Sequence, residues 1–338
     1  MREFLHRIII FLSVPFSILV LLFLFFLIKD PFNIVKPYKP NKQEDAYLIP
    51  VNKAYQNVKR LSYYSNFINY NAFILGNSRA IFYEVEDWKK YIGDTNNCFH
   101  FETHAENLFG LERKINYLDR QNYDLDHILI ILDPTLLNGV KPKEECMFTV
   151  PPQIVENQNL WDFYYDFFKY FISSKFLFAY IDYTLNGKIR DYMLDLNIFN
   201  KTPFIHDEET NQERFAISER EIAEGVFYNE ERMKVFYSRS GVEEFSEPVI
   251  KEKNIELLKS IKRVLDKRQT KYKIIVSPLY SQIRIAQEDL KVLKGLFGEN
   301  VYDFTGINEF TEDYRNYYES SHYRPVVSRE ILKRVYTQ

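Results

Sequence analysis

The stretch Ala72-Phe73-Ile74-Leu75-Gly76-Asn77-Ser78-Arg79 is the most informative part of the sequence, because a short apolar run ends there at a glycine and is followed by polar residues. An apolar run of this length without a polar position is typical of a strand buried on both faces of a sheet. Glycine permits a tight turn where such a strand ends. The sequence therefore predicts a strand at 72–75, with Ser78 at its carboxyl end where the chain turns into a helix.

Strands and helices alternate on either side of this stretch. The run His127-Ile128-Leu129-Ile130-Ile131-Leu132 is the clearest buried strand, and apolar residues recur at helical spacing through 105–119 before it. The same alternation predicts strands at 97–101, 272–276 and 301–304 and helices near 255–265, 282–297 and 326–335. Buried strands separated by helices are typical of a parallel sheet between helix layers, so the predicted fold class is α/β.

Residues 134–250 interrupt this alternation and are too long for an ordinary connection. They predict an inserted, largely helical subdomain or lid, and insertions beside the strand ends of an α/β sheet often shape the pocket. The insert contains the aromatic run Trp161-Asp162-Phe163-Tyr164-Tyr165-Asp166-Phe167-Phe168. These rings either pack the insert against the sheet or take part in the pocket, and the sequence leaves both open.

The run Ile8–Ile28 carries no charge and lies between Arg7 and Lys29. At about 1.5 Å per residue, a helix of this length spans a hydrocarbon core of about 30 Å. The run continues into charged residues without the small-residue cleavage site of a signal peptide, so an uncleaved transmembrane anchor at 1–30 is expected. Prolines among Lys and Asn predict an extended stalk at 31–60. Because no second run reaches spanning length, the chain is expected to cross the membrane once.

Composition excludes several classes of protein. The net charge of −3 gives no basic excess, so a nucleic-acid partner is not expected. Cys98 and Cys146 are too few for a zinc cluster, and whether they pair is open. No histidine–carboxylate cluster has convincing metal spacing, and no cofactor is expected. The aromatic share of 17% fits either a sugar-stacking surface or a composition bias.

Two short motifs contain the residues that could do chemistry. In Gly76-Asn77-Ser78-Arg79, the serine hydroxyl lies where helix-start N–H groups would stabilise a developing oxyanion, although a serine there also serves as a helix cap. In Glu319-Ser320-Ser321-His322, the carboxylate can orient the imidazole so that its other nitrogen accepts a serine proton, although such a motif also occurs on surface turns. His100 and His104, at the end of the second strand, could line the same pocket.

Taken together, the two motifs resemble the SGNH (GDSL-like) hydrolase family, in its membrane-anchored bacterial branch. Gly76-Asn77-Ser78 looks like the nucleophile block, and Glu319-x-x-His322 looks like the C-terminal acid–base block. The resemblance covers roughly residues 70–134 and 250–338. It implies a flavodoxin-like three-layer α/β/α sandwich at 61–338, with Ser78 as nucleophile, His322 as base and Glu319 as the orienting acid.

The sequence departs from the family pattern at three places. Glu319 stands where the family usually has aspartate. The glycine oxyanion donor after the second strand is missing, since Glu102-Thr103-His104-Ala105 stands there. The Gly-x-Asn-Asp block after the third strand is replaced by Leu132-Asp133-Pro134. Asn107 or Asn138 could substitute for the missing asparagine, but their spacing supports neither.

The resemblance implies a single-pass cell-membrane protein whose main domain lies outside the cytoplasm. The expected activity is that of an acyl esterase or O-acyltransferase on a cell-envelope glycan. The alternative is a catalytically degenerate protein of the same fold that binds glycan or an assembly partner such as a membrane acyltransferase. A scaffold recruited through the aromatic insert is a third possibility. Substrate identity, transfer against hydrolysis, and oligomeric state do not follow from the sequence.

Overall fold

A computed structural model describes residues 2–40, 47–156, 159–201 and 204–337. Its centre is a parallel sheet of five strands, as the alternation of strands and helices predicts. The strands are β1 (Ala72–Gly76), β2 (Cys98–His100), β3 (His127–Leu132), β4 (Lys271–Val276) and β5 (Val301–Asp303). They lie in the order 2-1-3-4-5, and every neighbouring pair is parallel. The α/β class with a parallel sheet is therefore confirmed.

Fourteen α-helices are found within the described residues. They are α1 (Arg2–Lys29), α2 (Lys53–Tyr64), α3 (Val85–Ile92), α4 (Leu108–Arg120), α5 (Pro134–Asn138), α6 (Leu160–Phe171), α7 (Ser174–Asn186), α8 (Asp191–Asp195), α9 (Ala216–Ala223), α10 (Glu230–Met233), α11 (Glu252–Lys267), α12 (Gln287–Phe297), α13 (Glu309–Glu312) and α14 (Pro325–Thr337). Short 3₁₀ helices occur at Ser78–Phe82, Gly298–Asn300 and Tyr314–Asn316.

Alternate residues of each central strand enter two different hydrophobic clusters, because successive side chains of a strand point to opposite faces. Phe73 and Leu75 of β1 belong to a cluster that also contains residues of α2, α4, α11 and α12. Ala72 and Ile74 belong to a second cluster, with residues of α3 and α14. Both faces of the sheet are thus covered, which explains why β1 has no polar position.

The segment between β3 and β4 contains helices α5 to α10 and several two-residue strands. Ile205–His206 pairs with Glu213–Arg214, and Asn200–Lys201 pairs with Tyr47–Leu48. Glu244–Phe245 pairs in parallel with Ile283–Arg284. Most of the aromatic rings of α6 do not reach the sheet; they belong to a third cluster formed with α1 and α7.

The N-terminal helix α1 is long and apolar enough over Ile10–Lys29 to span a membrane. Most of its side chains are exposed until the last two turns. There, Phe26 is completely buried against α6. The helix agrees in length and position with the predicted anchor.

The segment 31–60 differs from the expected extended stalk. Phe32 and Ile34 are completely buried, and α2 begins at Lys53 with most of its first two turns buried. The Asp30 carboxylate accepts hydrogen bonds from the backbone N–H groups of residues 34–36, which turns the chain back onto the body after α1. The proline content indicated an extended chain, but apolar side chains between the prolines bury it instead. Residues 41–46 lie outside the described part of the chain.

Candidate active site

Ser78 is the first residue of the 3₁₀ helix Ser78–Phe82, immediately after β1. The cap of this helix is Asn77, whose side-chain Oδ1 accepts a hydrogen bond from the Arg79 N–H at 3.0 Å. The Ser78 hydroxyl is therefore not used as a cap. Gly76 has φ +150°, and a Cβ there would lie 2.6 Å from the carbonyl oxygen of Ile131 on β3. Only glycine lets β1 approach β3 this closely and still turn the serine out at the strand end.

His322 and Glu319 lie opposite each other in a small antiparallel pair, Tyr317–Glu319 with His322–Tyr323. This hairpin explains why a carboxylate three residues before the histidine contacts its ring. The Glu319 carboxylate is hydrogen-bonded to Nδ1 of His322 and also accepts the Ser321 N–H at 2.7 Å. The ring is thereby held with its other nitrogen directed at β1.

Ser78 Oγ lies 2.7 Å from Nε2 of His322. The structure thus brings together all three residues singled out in the sequence, across a separation of more than two hundred positions. The geometry is that of a serine next to a base that is oriented by an acid. In the neutral tautomer whose Nδ1 donates to the carboxylate, Nε2 carries no proton and can accept the one from the serine.

The charges around this chain of hydrogen bonds favour an ionised acid. Burial alone would raise the pKa of Glu319, but the hydrogen bond and charge of His322, the Ser321 N–H and the nearby Arg79 guanidinium together lower it. Arg79 itself is paired with Asp133 at 2.8 Å. The carboxylate that orients the histidine is therefore ionised at neutral pH.

Asp133, directly after β3, occupies the place where the family resemblance would put an asparagine oxyanion donor. It is buried, and its carboxylate accepts hydrogen bonds from the Asn77 amide, the Arg79 guanidinium and the Leu136 N–H. A carboxylate so engaged holds the Ser78 turn in place and donates nothing to an oxyanion. Asn107 is occupied as well, since it caps α4 and donates to the Lys141 carbonyl oxygen.

Of His100, which ends β2, and His104, which follows it, only His104 lines the pocket beside Ser78. His100 is buried and contacts the carbonyl oxygen of Tyr83. The His104 side chain is exposed in the pocket wall, where the protein around the pocket removes part of the water that would solvate a charged ring. This desolvation, together with the charge of Lys53, lowers its pKa, so the ring is neutral near pH 7. Ala105 next to it has φ +52°, in the left-handed region that favours glycine.

Buried ion pairs hold the loop 101–106 that carries His104. Lys114 is 1% exposed and pairs with Glu106 at 2.6 Å. Lys53 pairs with Glu102 at 2.6 Å and with Glu213 at 2.8 Å. Sequence reasoning missed these residues. Only Lys114 could have been recognised from the sequence, because it interrupts the apolar face that Leu111, Ile115 and Leu118 form on α4.

A cavity of about 380 Å³ opens beside the Ser78 hydroxyl. The 3₁₀ helix, the hairpin and the insert all contribute to its wall, and most of the wall is apolar. Its lining consists of Ser78, Ile81, Phe82, His104, Phe215, Ser218, Phe227, Arg232, Val235, Tyr318, Glu319 and His322. Five of these, from Phe215 to Val235, come from the insert, so the insert does shape the pocket.

The insert is clamped to the acid–base hairpin by Glu219 of α9. Its carboxylate accepts hydrogen bonds from the Tyr318 hydroxyl at 2.7 Å and from two guanidinium nitrogens of Arg324 at 2.8 and 2.9 Å. Burial would raise the pKa of Glu219, but these hydrogen bonds lower it. The pocket wall and the hairpin that carries Glu319 and His322 are therefore joined by one partly buried ion pair, Glu219 with Arg324.

Comparison of the chain with protein-family models, with curated proteins and with solved structures finds no match. Within the described residues, no group of three or more His, Cys, Asp or Glu side chains is arranged to hold a metal ion.

Proposed function

We propose that this chain is a membrane-anchored acyl esterase or O-acyltransferase of the SGNH type, acting on acyl esters of a cell-envelope glycan. The observation that carries the proposal is the hydrogen-bonded series Ser78–His322–Glu319, with 2.7 Å between the hydroxyl and the ring. We further propose that the sheet and its helices form a flavodoxin-like three-layer sandwich, with this body outside the cytoplasm. The strand order 2-1-3-4-5 supports that fold.

The chemistry follows from the hydrogen bonds. Ser78 Oγ attacks the ester carbonyl carbon while its proton passes to Nε2 of His322, and Glu319 stabilises the imidazolium. As the tetrahedral intermediate collapses, the ester C–O bond breaks and the leaving alcohol takes the proton from His322. The acyl group is then bound to Ser78. Water releases it as an acid, whereas a second hydroxyl accepts it in a transfer reaction.

The apolar cavity supports an acyl group as the part of the substrate bound beside Ser78. Phe82, Phe215, Phe227 and Tyr318 surround the space with hydrocarbon, which suits an acyl substituent better than a polyhydroxylated sugar ring. The glycan would then lie on the open side of the cavity.

We assign His104 as a hydrogen-bond donor to the oxyanion that forms in the tetrahedral intermediate. Donors at the two places that the resemblance indicates are absent, and loss of one donor typically costs about 100- to 1000-fold in rate. A neutral imidazole still donates one N–H, and the lowered pKa of His104 keeps it neutral. The N–H of Ser78, first in its 3₁₀ helix, would be a second donor.

The alternative is a catalytically degenerate protein that binds glycan or a partner such as a membrane acyltransferase. Asp133 favours it, because a buried carboxylate now stands where an oxyanion donor is expected. A fluorophosphonate probe separates the two functions, since only a nucleophilic serine is labelled.

We expect the full-length protein to be labelled, Ser78→Ala to be unlabelled and His322→Ala to lose most labelling. Ser320→Ala is the matched control, because that serine lies on the same hairpin beside His322 but outside the hydrogen-bonded series. If the folded wild-type protein stays unlabelled and still binds envelope glycan, the esterase proposal fails and the glycan-binding function takes its place. His104→Ala should slow ester turnover by about 10- to 1000-fold with labelling retained.

A further inference from the structure

Helices α6 and α7 pack on the last turns of α1. The Phe168 ring lies 5.2 Å from Phe23 and 5.6 Å from Phe26. On α7, the Tyr180 ring lies 6.2 Å from Phe25. Helices α6 and α7 span residues 160–186 and are called the α6–α7 pair. The α6–α7 pair is joined to α1 by an aromatic cluster rather than by a flexible linker.

The position of these contacts along α1 fixes the depth of the α6–α7 pair relative to the membrane. The uncharged run between Arg7 and Lys29 only just matches the hydrocarbon core of about 30 Å, so it cannot slide without burying a charge. Phe25 lies one turn before Lys29, about 6 Å along the helix axis. The Tyr180 ring, which contacts Phe25, therefore lies close to the level where the acyl chains begin, and α7 lies within one side-chain length of that level.

The outer side of α7 has apolar side chains that the described residues leave largely exposed, although the Tyr192 ring contacts Phe178. Phe178, Ile181 and Leu185 are 69%, 38% and 78% exposed, and their spacing places them on one stripe of the helix. The opposite side, with Phe176 and Tyr180, faces α1 and α6.

The charged groups near the stripe agree with a shallow position. The Asp182 carboxylate is paired with Arg190 at 2.9 Å and accepts the Tyr192 hydroxyl at 2.7 Å. Lys175 and Lys188, at either end of α7, are exposed and can extend towards headgroups. Interfacial helices commonly lie about 5–10 Å into the boundary between headgroups and acyl chains, the depth that the Phe25 contact gives.

We propose that α7 lies in the membrane interface, with Phe178, Ile181 and Leu185 facing the acyl chains of the leaflet that holds the last turns of α1. The chain thus has a second membrane contact besides its anchor, made by the insert itself. This inference rests on α1 spanning the bilayer and goes beyond the proposed catalytic function. The consequence is a body held at a fixed height and orientation against the lipid surface.

Depth-dependent quenching of tryptophan fluorescence tests the proposal in the full-length protein, reconstituted in phosphatidylcholine–phosphatidylglycerol vesicles. Trp161→Phe removes the one exposed tryptophan and leaves Trp88, which is fully buried in the body. Phe178→Trp and Leu185→Trp then report on α7. Phe67→Trp is the matched control, since Phe67 is 74% exposed at the end of α2 and is absent from the cluster with α1.

Brominated acyl chains should quench the two α7 tryptophans several-fold more strongly than the control, and iodide in the buffer should do the reverse. Iodide quenching of Phe178→Trp and Leu185→Trp equal to that of the control would overturn the inference while leaving the anchor intact. Shielding from both quenchers would overturn it too, because a second copy or another helix would then cover the stripe. If the protein fails to float with vesicles, the inference fails together with the anchor. Fluorophosphonate labelling of Ser78 is independent of all these outcomes.

Discussion

Glu319→Gln removes the charge behind His322 while keeping the size of the side chain. In the proposed mechanism, the ionised carboxylate stabilises the imidazolium that forms when Ser78 loses its proton to the ring that it contacts. Two unit charges about 4 Å apart attract with about 4 kcal/mol at an effective dielectric constant of about 20. Because the two side chains are 32% and 36% exposed, solvent screening is expected to remove about half of this attraction.

A loss of about 2 kcal/mol corresponds to about a 30-fold lower rate. Glutamine also can donate its amide N–H to Nδ1, which favours the tautomer whose Nε2 already carries a proton and cannot accept another. We therefore expect the second-order rate of fluorophosphonate labelling to fall by about 100- to 1000-fold in total. The decrease should be smaller than that of His322→Ala, since a misoriented imidazole is still a base.

The labelling rate is measured at pH 7.5 with circular dichroism as the check on folding. Glu312→Gln is the matched control, since this glutamate is exposed nearby and its carboxylate does not contact His322. If Glu319→Gln is labelled as fast as wild type while Ser78→Ala is not labelled at all, the carboxylate does not assist the histidine and the acid has to be sought elsewhere.

Three further predictions concern stability, each measured by urea unfolding. Ala105→Gly should raise the free energy of unfolding by up to about 1 kcal/mol, because it relieves a left-handed backbone at the expense of some unfolded-state entropy; a clear decrease would show that the Ala105 methyl group is needed. Lys114→Met should lower it by about 3–5 kcal/mol, because Glu106 is left buried without its partner; an unchanged value would mean that Glu106 becomes neutral at little cost. The folded-state pKa of Glu219 is below its ordinary value, so its contribution is present above about pH 4.5 and is lost as the pH falls through the folded-state pKa. Glu219→Gln should therefore flatten the loss of stability in acid, and an unchanged pH profile would contradict the role of the Arg324 pair.

The parallel sheet and the position of Ser78 were predictable because both depend on local patterns. The runs 72–75 in β1 and 128–132 in β3 have no polar position, and such runs are typical of strands covered on both faces. The contact between Glu319 and His322 was predictable for the same reason, since a two-residue turn places them opposite each other. Joining them to Ser78 depended on the family resemblance, because the hairpin at 317–323 lies well beyond the end of β5 and no local pattern places it at the sheet edge.

The stalk and the buried ion pairs were not predictable in this way. Pro31 and Pro37 indicate an extended backbone, but whether such a segment is free or packed depends on distant helices that receive Phe32 and Ile34. Lys53 and Glu213 are far apart in sequence, and nothing local distinguishes them from surface charges. These errors have one cause: composition describes the preferences of a segment, whereas burial is decided by what the rest of the chain brings against it.

The same distinction bears on whether Ser78 has a chemical or a structural role. A serine at the start of a helix usually caps it, but here Asn77 does so through the Arg79 N–H. The turn itself is held by the buried Asp133 carboxylate and by the close approach of Gly76 to β3. Neither contact uses the serine hydroxyl, which is half-exposed in the pocket wall, and a hydrogen bond there contributes only about 0.5–1.5 kcal/mol. Because the fold does not require the hydroxyl, its placement 2.7 Å from an oriented imidazole is better explained by reactivity than by stability.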